Sequence, residues 1–169
     1  SIATFVGWII YLSFVNMGTV FMSFQWDILL LEVAFLSLWG MPTVVLWRAS
    51  DAYAPPRWVI TAAKLCCFRL IFFSGLVKLV SGDRLWRSFT ALDIHYYTQP
   101  LPHMLSWYWH QLPAFLHKGC TFLMFCIELV SPFLLFMKRR LRCIGAWSII
   151  GLMGVIMLTG NYTFFNILT

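Results

Sequence analysis

The chain has 169 residues, of which 61% are hydrophobic and only 11% are charged. Because soluble domains carry about 25% charged residues, this composition excludes a soluble globule. Lys and Arg outnumber Asp and Glu by 12 to 6, but they do not gather on a soluble basic face, which excludes a nucleic-acid-binding module. At about 20 residues per spanning helix, the apolar runs provide four or five spans. The composition predicts an all-α, polytopic transmembrane helical bundle.

Five apolar segments are predicted to span the membrane and to form a single membrane domain. In chain order they are residues 2–22, 28–47, 58–80, 120–137 and 143–168. The second carries Gly40, Met41 and Pro42, which predict a broken or kinked helix. The chain lacks an initiator Met and stops directly after an apolar run, so we expect a piece of a longer protein.

The basic residues between the spans predict the orientation. Five spans place Arg48, Arg57 and the basic run 138–142 on one side, which the positive-inside rule makes cytoplasmic. Residues 81–119, which we call the cap, then face the lumen, the periplasm or the exterior. The cap contains six Trp and Tyr residues and three prolines, so we expect an interfacial amphipathic structure of short helices lying on the membrane.

Ionisable side chains within apolar segments are candidates for function because charges are costly in lipid. They are Glu32, Lys64, Arg69, Lys78 and Glu128. The structural interpretation is that both lysines extend to the interfaces, while Arg69 pairs with Glu32 or Glu128. The functional interpretation makes one of these groups, above all Lys78, a base or a substrate contact.

The four histidines all lie in the cap, at positions 95, 103, 110 and 117. Their spacing matches no metal motif, and Pro113 interrupts any helix that would align them. Interfacial hydrogen bonding is therefore their expected role, and no metal and no cofactor are expected.

The five cysteines lie in or beside apolar segments, where a thiol behaves as a small apolar residue and a disulfide framework is not expected.

The last apolar segment becomes polar near its end. Asn161-Tyr162-Thr163 matches the N-glycosylation acceptor pattern, but its position within an apolar segment favours a structural role. Thr159 and Asn166 add to this polar end, which suits interhelical hydrogen bonds or the lining of a cavity.

Several long strings carry a family resemblance. In chain order they are Phe24-Gln-Trp-Asp-Ile-Leu-Leu-Leu-Glu32, Gly75-Leu-Val-Lys78, Thr90-Ala-Leu-Asp93, Thr98-Gln-Pro-Leu-Pro102, Glu128-Leu-Val-Ser-Pro132 and Thr159-Gly-Asn-Tyr-Thr-Phe-Phe-Asn166. From about Asn16 onward the chain resembles the lipase maturation factor family. The resemblance implies a membrane protein that assists folding and dimer assembly of secreted lipases. It implies the endoplasmic reticulum membrane for a eukaryotic source and the inner membrane for a bacterial one. It also implies a C-terminal, non-cytoplasmic client-binding domain that this chain lacks.

A more distant similarity is to the membrane domain of the vitamin K-dependent gamma-glutamyl carboxylase. That resemblance places Lys78 near the catalytic-base lysine of the carboxylase. A histidine of the last matched carboxylase motif has no counterpart, because Leu158 and Thr159 occupy its neighbourhood. This departure weakens the case for carboxylase chemistry.

The sequence is therefore interpreted as a non-enzymatic membrane scaffold, in contact with lipid, that holds an extracytoplasmic client such as a lipase or another membrane subunit. The residues expected to bind the partner are Trp86, Asp93, His95, Tyr96, Gln99, Trp107 and Asn161. One alternative is a carboxylase-like membrane enzyme with Lys78 as base and Glu128 and Asn161 beside the substrate. Another is an accessory subunit of a larger membrane complex.

Overall fold

A computed structural model describes residues 2–22, 24–40, 54–99, 103–160, 162 and 164–169, and every regular element in these ranges is a helix. In chain order the α-helices are α1 (Ile2–Met17), α2 (Gln25–Gly40), α3 (Arg57–Val80), α4 (Arg84–Arg87), α5 (Ala91–Thr98), α6 (Met104–His110), α7 (Ala114–Leu134), α8 (Arg139–Thr159) and α9 (Phe165–Leu168). A 3-10 turn, Thr19–Met22, follows α1.

Three helices in the described ranges, α3, α7 and α8, are long and apolar enough to cross a membrane, and α1 is a shorter apolar helix. The prediction of an all-α helical membrane bundle is confirmed. The total of five spans stays a prediction, since part of the second predicted span, residues 41–47, lies outside the described residues.

The ends of the last two long helices differ from the predicted spans. α7 begins at Ala114, not at Cys120, because Pro113 has an extended ψ of 145° and precedes the helix as its N-cap. The polar residues just before Cys120 are accommodated within the helix, since His117 is buried and hydrogen-bonded. α8 ends at Thr159, where Gly160 is extended (φ −146°, ψ 162°), so the predicted fifth span is a long helix followed by the short α9.

The described chain divides into two compact units, of which the first comprises Ser1–Cys66 and Leu168. Here polar contacts join α1 and α2, because buried hydrogen-bond donors need acceptors. The Trp8 indole donates to the Leu31 carbonyl at 3.0 Å, and the Tyr11 hydroxyl donates to Asp27 Oδ1 at 2.5 Å. The rings of Trp8 and Phe35 lie 5.6 Å apart. These contacts fix the pairing of the first two helices.

The second unit comprises Cys67–Ile167 and Thr169, and α7 packs on α8 within it. Gly145 permits this packing, because a Cβ at that position would lie 2.7 Å from Leu134 Cβ and 2.9 Å from the Ser131 carbonyl oxygen. The hydroxyls of Ser131 and Ser148 are 2.7 Å apart and link the two helices by a hydrogen bond. The buried core consists of Ile71, Leu135, Ile149 and Met153.

α3 also packs closely against α7 within the second unit. The Phe68 and Phe72 rings meet the Phe133 ring edge-on, with centroids 5.0 and 5.3 Å away. One turn beyond Phe72 along α3, a Cβ on Gly75 would lie 2.9 Å from Glu128 Cβ. The missing side chain brings the backbone of α3 close to the acidic residue of α7, and this approach positions the candidate site.

Candidate functional site

Lys78 and Glu128 form an ion pair at the end of α3 next to the cap. Lys78 Nζ donates to Glu128 Oε1 at 2.5 Å, and the side chains retain 22% and 4% exposure. Lys78 Nζ also lies 3.7 Å from Met124 Sδ and 5.4 Å from the centroid of the Trp86 ring, a cation–π geometry. Glu128 and an aromatic ring thus hold the Lys78 ammonium, and its position relative to the interface stays a prediction.

The side chains of α5 connect the cap to the chain that follows α8. His95 Nε2 lies 3.1 Å from the Tyr162 hydroxyl, and Gln99 Nε2 donates to the Thr159 carbonyl at 2.9 Å. Burial lowers the pKa of His95, and the positive charge of Lys78 lowers it further. Gln99 is buried beside Gly160, and a Cβ on that glycine would overlap the Tyr162 ring. The interruption of α8 at Gly160 thus makes room for two contacts from the cap.

A second polar cluster joins α5, α6 and α7. His117 of α7 is buried, with Nδ1 2.6 Å from Asp93 Oδ1 and Nε2 2.9 Å from the Trp109 carbonyl oxygen. The ring of Tyr96 lies 5.7 Å from the His117 ring. Burial raises the pKa of Tyr96 to about 12, and Cys120 adds to this shift. His117 thus makes hydrogen bonds within this cluster, and the interfacial position expected for the cap histidines stays a prediction.

The predicted partner-binding residues fall into two groups. Trp86, Asp93, His95, Tyr96 and Gln99 are turned toward other helices, and only Trp107 among the six described residues projects its ring outward, at 62% exposure. The seventh, Asn161, lies outside the described residues. The structure therefore brings together a set that holds the cap in place and one residue that is available for contact.

The predicted intramembrane polar residues are also only partly brought together. Lys78 and Glu128 meet, whereas Lys64 is half-buried on the earlier part of α3. Glu128 takes Lys78 as its cation in the place that the structural interpretation gave to Arg69. Glu32 and Arg69 each make an interaction of their own. In the part of the chain that the structure describes, no group of three or more His, Cys, Asp or Glu side chains is arranged to hold a metal ion.

Sequence reasoning missed three pairings: Asp93 with His117, His95 with Tyr162, and Tyr11 with Asp27. The partners are 24, 67 and 16 residues apart, so no local spacing rule relates them. The signal available was weak: a few polar residues in a strongly apolar chain must find partners when buried, but the sequence does not say which.

The segments that meet around these clusters are the long strings that carried the family resemblance, namely those starting at Gly75, Thr90, Thr98, Glu128 and Thr159. The family model for the lipase maturation factor transmembrane domain matches residues 1–169. The chain belongs to the lipase maturation factor family. No solved structure matches it.

Curated members of the lipase maturation factor family are similar along nearly the whole chain. Lipase maturation factor 2 of Xenopus laevis is 43% identical over 164 residues, and the human protein of that name is 40% identical over 174 residues. Human lipase maturation factor 1 is 38% identical over 162 residues. Each alignment covers 96% of this chain but only 23%, 24% and 28% of the respective relative. The chain thus spans about a quarter of the length of the curated relatives it matches.

Proposed function

We propose that this chain is a non-enzymatic membrane scaffold of a lipase maturation factor, which assists folding and assembly of lipase-like clients outside the cytosol. Membership in the lipase maturation factor family supports the client class. The host membrane is that of the endoplasmic reticulum in a eukaryote and the inner membrane in a bacterium. In this proposal the cap faces the client, and α3, α7 and α8 hold the cap at the membrane surface.

The observation that carries the proposal is the inverted polarity of α6. Ser106 points inward at 1% exposure and donates to the His103 carbonyl, while Trp107 is 62% exposed and Met104 and Tyr108 are exposed beside it. An outward aromatic face of this kind is covered by lipid where the helix lies on the membrane and by a protein partner where it faces the client. Exposed aromatic side chains of this kind are the usual anchors of protein interfaces. α6 is therefore suited to bury its rings against a client.

Other cap residues hold α6 in place. Asp93 and the Trp109 carbonyl both contact His117, so α5 and α6 are tied to the same side chain of α7. Gln99 ties the end of α5 to the end of α8. A rigid support reduces the conformational entropy that is lost when the aromatic face binds a partner.

The test is a secretion assay in cells that lack their own lipase maturation factor. Full-length protein carrying Trp107→Ala and Tyr108→Ala should restore less secreted lipase activity than wild type at equal protein level. If these rings are anchors worth about 2 kcal/mol, client binding weakens about 30-fold. The matched control is Trp147→Ala, which removes a 71% exposed ring from α8 and should restore normal secretion. Equal secretion with the cap variant and the control would contradict the proposal.

The carboxylase-like alternative requires Lys78 to accept a proton. Its contact with Glu128 opposes that role, because an ammonium that donates to a carboxylate has no free electron pair. Lys78→Met tests this point, since loss of a measurable turnover with folded protein retained would restore the enzyme alternative. The accessory-subunit alternative predicts that stable membrane partners copurify with the chain in the absence of any lipase.

A further inference from the structure

The turn between α7 and α8 carries positive charge that the described part of the protein does not compensate. Four of the five residues 138–142 are basic, namely Lys138, Arg139, Arg140 and Arg142. The first three are exposed, and Arg142 is half-buried. In the part of the chain that the structure describes, none of these four side chains has a hydrogen-bond or ion-pair partner. Like charges this close repel one another, so the turn favours an anionic partner.

The carboxylates of the second unit lie away from this turn. They are Asp83, Asp93 and Glu128. The first two belong to the cap, which contacts α7 near its beginning through Asp93. Glu128 is already paired with Lys78. The anion that the turn favours therefore does not come from the second unit.

The turn joins two candidate membrane spans and so lies at a membrane surface. Only residues 135–138 separate α7 from α8, which is too few to carry the basic side chains away from the helix ends. α7 has 21 residues. At about 1.5 Å per residue it is about 31 Å long, which matches a hydrocarbon core of about 30 Å. Since the cap contacts the beginning of α7, the turn lies at the headgroups of the opposite leaflet.

Apolar side chains continue from this turn along one face of α8. Arg140, Ile144 and Trp147 follow the i, i+4, i+7 spacing of a shared helix face, and all three are exposed. Gly145, which packs on α7, lies on another face. A lipid fits this arrangement, with its acyl chains along Ile144 and Trp147 and its phosphate at the cation next to them. A soluble acidic protein would pair with the cations but would leave the apolar side chains uncovered.

We propose that Lys138, Arg139, Arg140 and Arg142 bind the headgroups of anionic phospholipids in the bilayer. A guanidinium group donates two parallel N–H bonds to phosphate oxygens, and the Lys138 ammonium adds a point charge. Each cation near an anionic membrane surface favours the contact about fivefold, so three exposed cations favour it up to about a hundredfold. The inference goes beyond the proposed function, since it concerns the end of α7 opposite the cap and holds whether or not α6 binds a client.

The test measures which lipids the purified full chain retains. We equilibrate it in nonionic detergent with equal amounts of phosphatidylglycerol and phosphatidylcholine, whose choline cancels the phosphate charge, and count bound lipids by native mass spectrometry. Wild type should retain phosphatidylglycerol preferentially. A variant with the three substitutions Lys138→Gln, Arg139→Gln and Arg140→Gln should lower the ratio of the two lipids by between about tenfold and about a hundredfold.

The matched control removes three exposed cations from the cap side. Arg84→Gln, Arg87→Gln and Lys118→Gln together change the net charge by the same amount and should keep a ratio close to that of wild type. Equal losses in the two triple variants would overturn the proposal. So would a wild-type ratio near one, whether or not an acidic protein copurifies.

Two measurements on wild type cover the case in which the first triple variant does not fold. Raising the ionic strength from about 0.1 M to about 1 M shortens the Debye length from about 10 Å to about 3 Å and should lower the preference for phosphatidylglycerol. An unchanged ratio would contradict an electrostatic headgroup contact. Inorganic phosphate in excess, compared with chloride at equal ionic strength, should leave the ratio unchanged. If phosphate abolished the preference, the cations would belong to a site for a small soluble anion, and the lipid proposal would be wrong.

Discussion

Replacing Lys78 by Met tests the ion pair in the second unit. The substitution keeps the length of the side chain but leaves the Glu128 carboxylate, 4% exposed, without its cation. Removing one partner of a buried pair costs about 3–5 kcal/mol, because the other charge stays desolvated. The 22% exposure of the Lys78 side chain lets water reach part of the pair, so we expect a loss near the lower limit, about 3 kcal/mol.

The double variant Lys78→Met, Glu128→Leu isolates the pairwise contribution. It removes both charges and places two apolar side chains in contact, so it should be more stable than Lys78→Met alone, with a coupling energy of about 2 kcal/mol. Reversible unfolding in mixed micelles, followed by tryptophan fluorescence, provides the free energies. The control is Lys118→Met, which removes an exposed lysine from α7 and should change stability by less than about 0.5 kcal/mol. If Lys78→Met matched this control, or if the double variant lost the sum of the single losses, the reasoning would be refuted.

Three further predictions use the same unfolding measurement. Gly145→Ala should destabilise the protein by about 1–3 kcal/mol, because its Cβ would lie 2.7 Å from Leu134 Cβ. The control is Gly151→Ala on the same helix, whose Cβ meets nothing within 4 Å, so this variant should be neutral or stabilising. Equal effects of the two variants would contradict the packing of α7 on α8. Ser148→Ala should cost about 0.6–1 kcal/mol through loss of the bond to Ser131, and a combined Ser131→Ala, Ser148→Ala variant should lose no more than the first. The pKa of His95 is lowered in the folded state, so the unfolded chain binds more protons than the folded chain as the pH falls below about 6.5. The free energy of unfolding of wild type should therefore decrease in that range. In His95→Gln this decrease should be smaller, and an equal decrease in both proteins would contradict the assignment.

The helical class was predictable because hydrophobic composition alone requires backbone hydrogen bonds to be made within each segment in lipid. The ends of the helices were less predictable. The predicted span began at Cys120, whereas α7 begins at Ala114 and includes His117, whose ring contacts Asp93 and the Trp109 carbonyl. The end of α8 was not predicted either, because the apolar segment 143–168 continues past Gly160, where the helix ends.

The candidate site was predictable in its members but not in its pairings. A buried charge in an apolar segment needs a partner, so Lys78 and Glu128 were identifiable as a group with Arg69. The sequence does not say which cation reaches the carboxylate, and in the structure it is Lys78, three residues after the close approach at Gly75. Trp86, Tyr96 and Gln99 were chosen for their type and location, and the structure turns them inward. Type and location do not determine which way a side chain points on a short helix whose neighbours come from distant parts of the chain.

The hydrogen bond from Gln99 to the Thr159 carbonyl has a consequence for biosynthesis. The donor precedes the acceptor by 60 residues, so the ribosome completes the glutamine well before the helix that it terminates. The carbonyls at the end of any helix lack donors within that helix, and here one donor belongs to a segment already translated. The segment that carries this donor is therefore synthesised before the helix whose last carbonyl it caps.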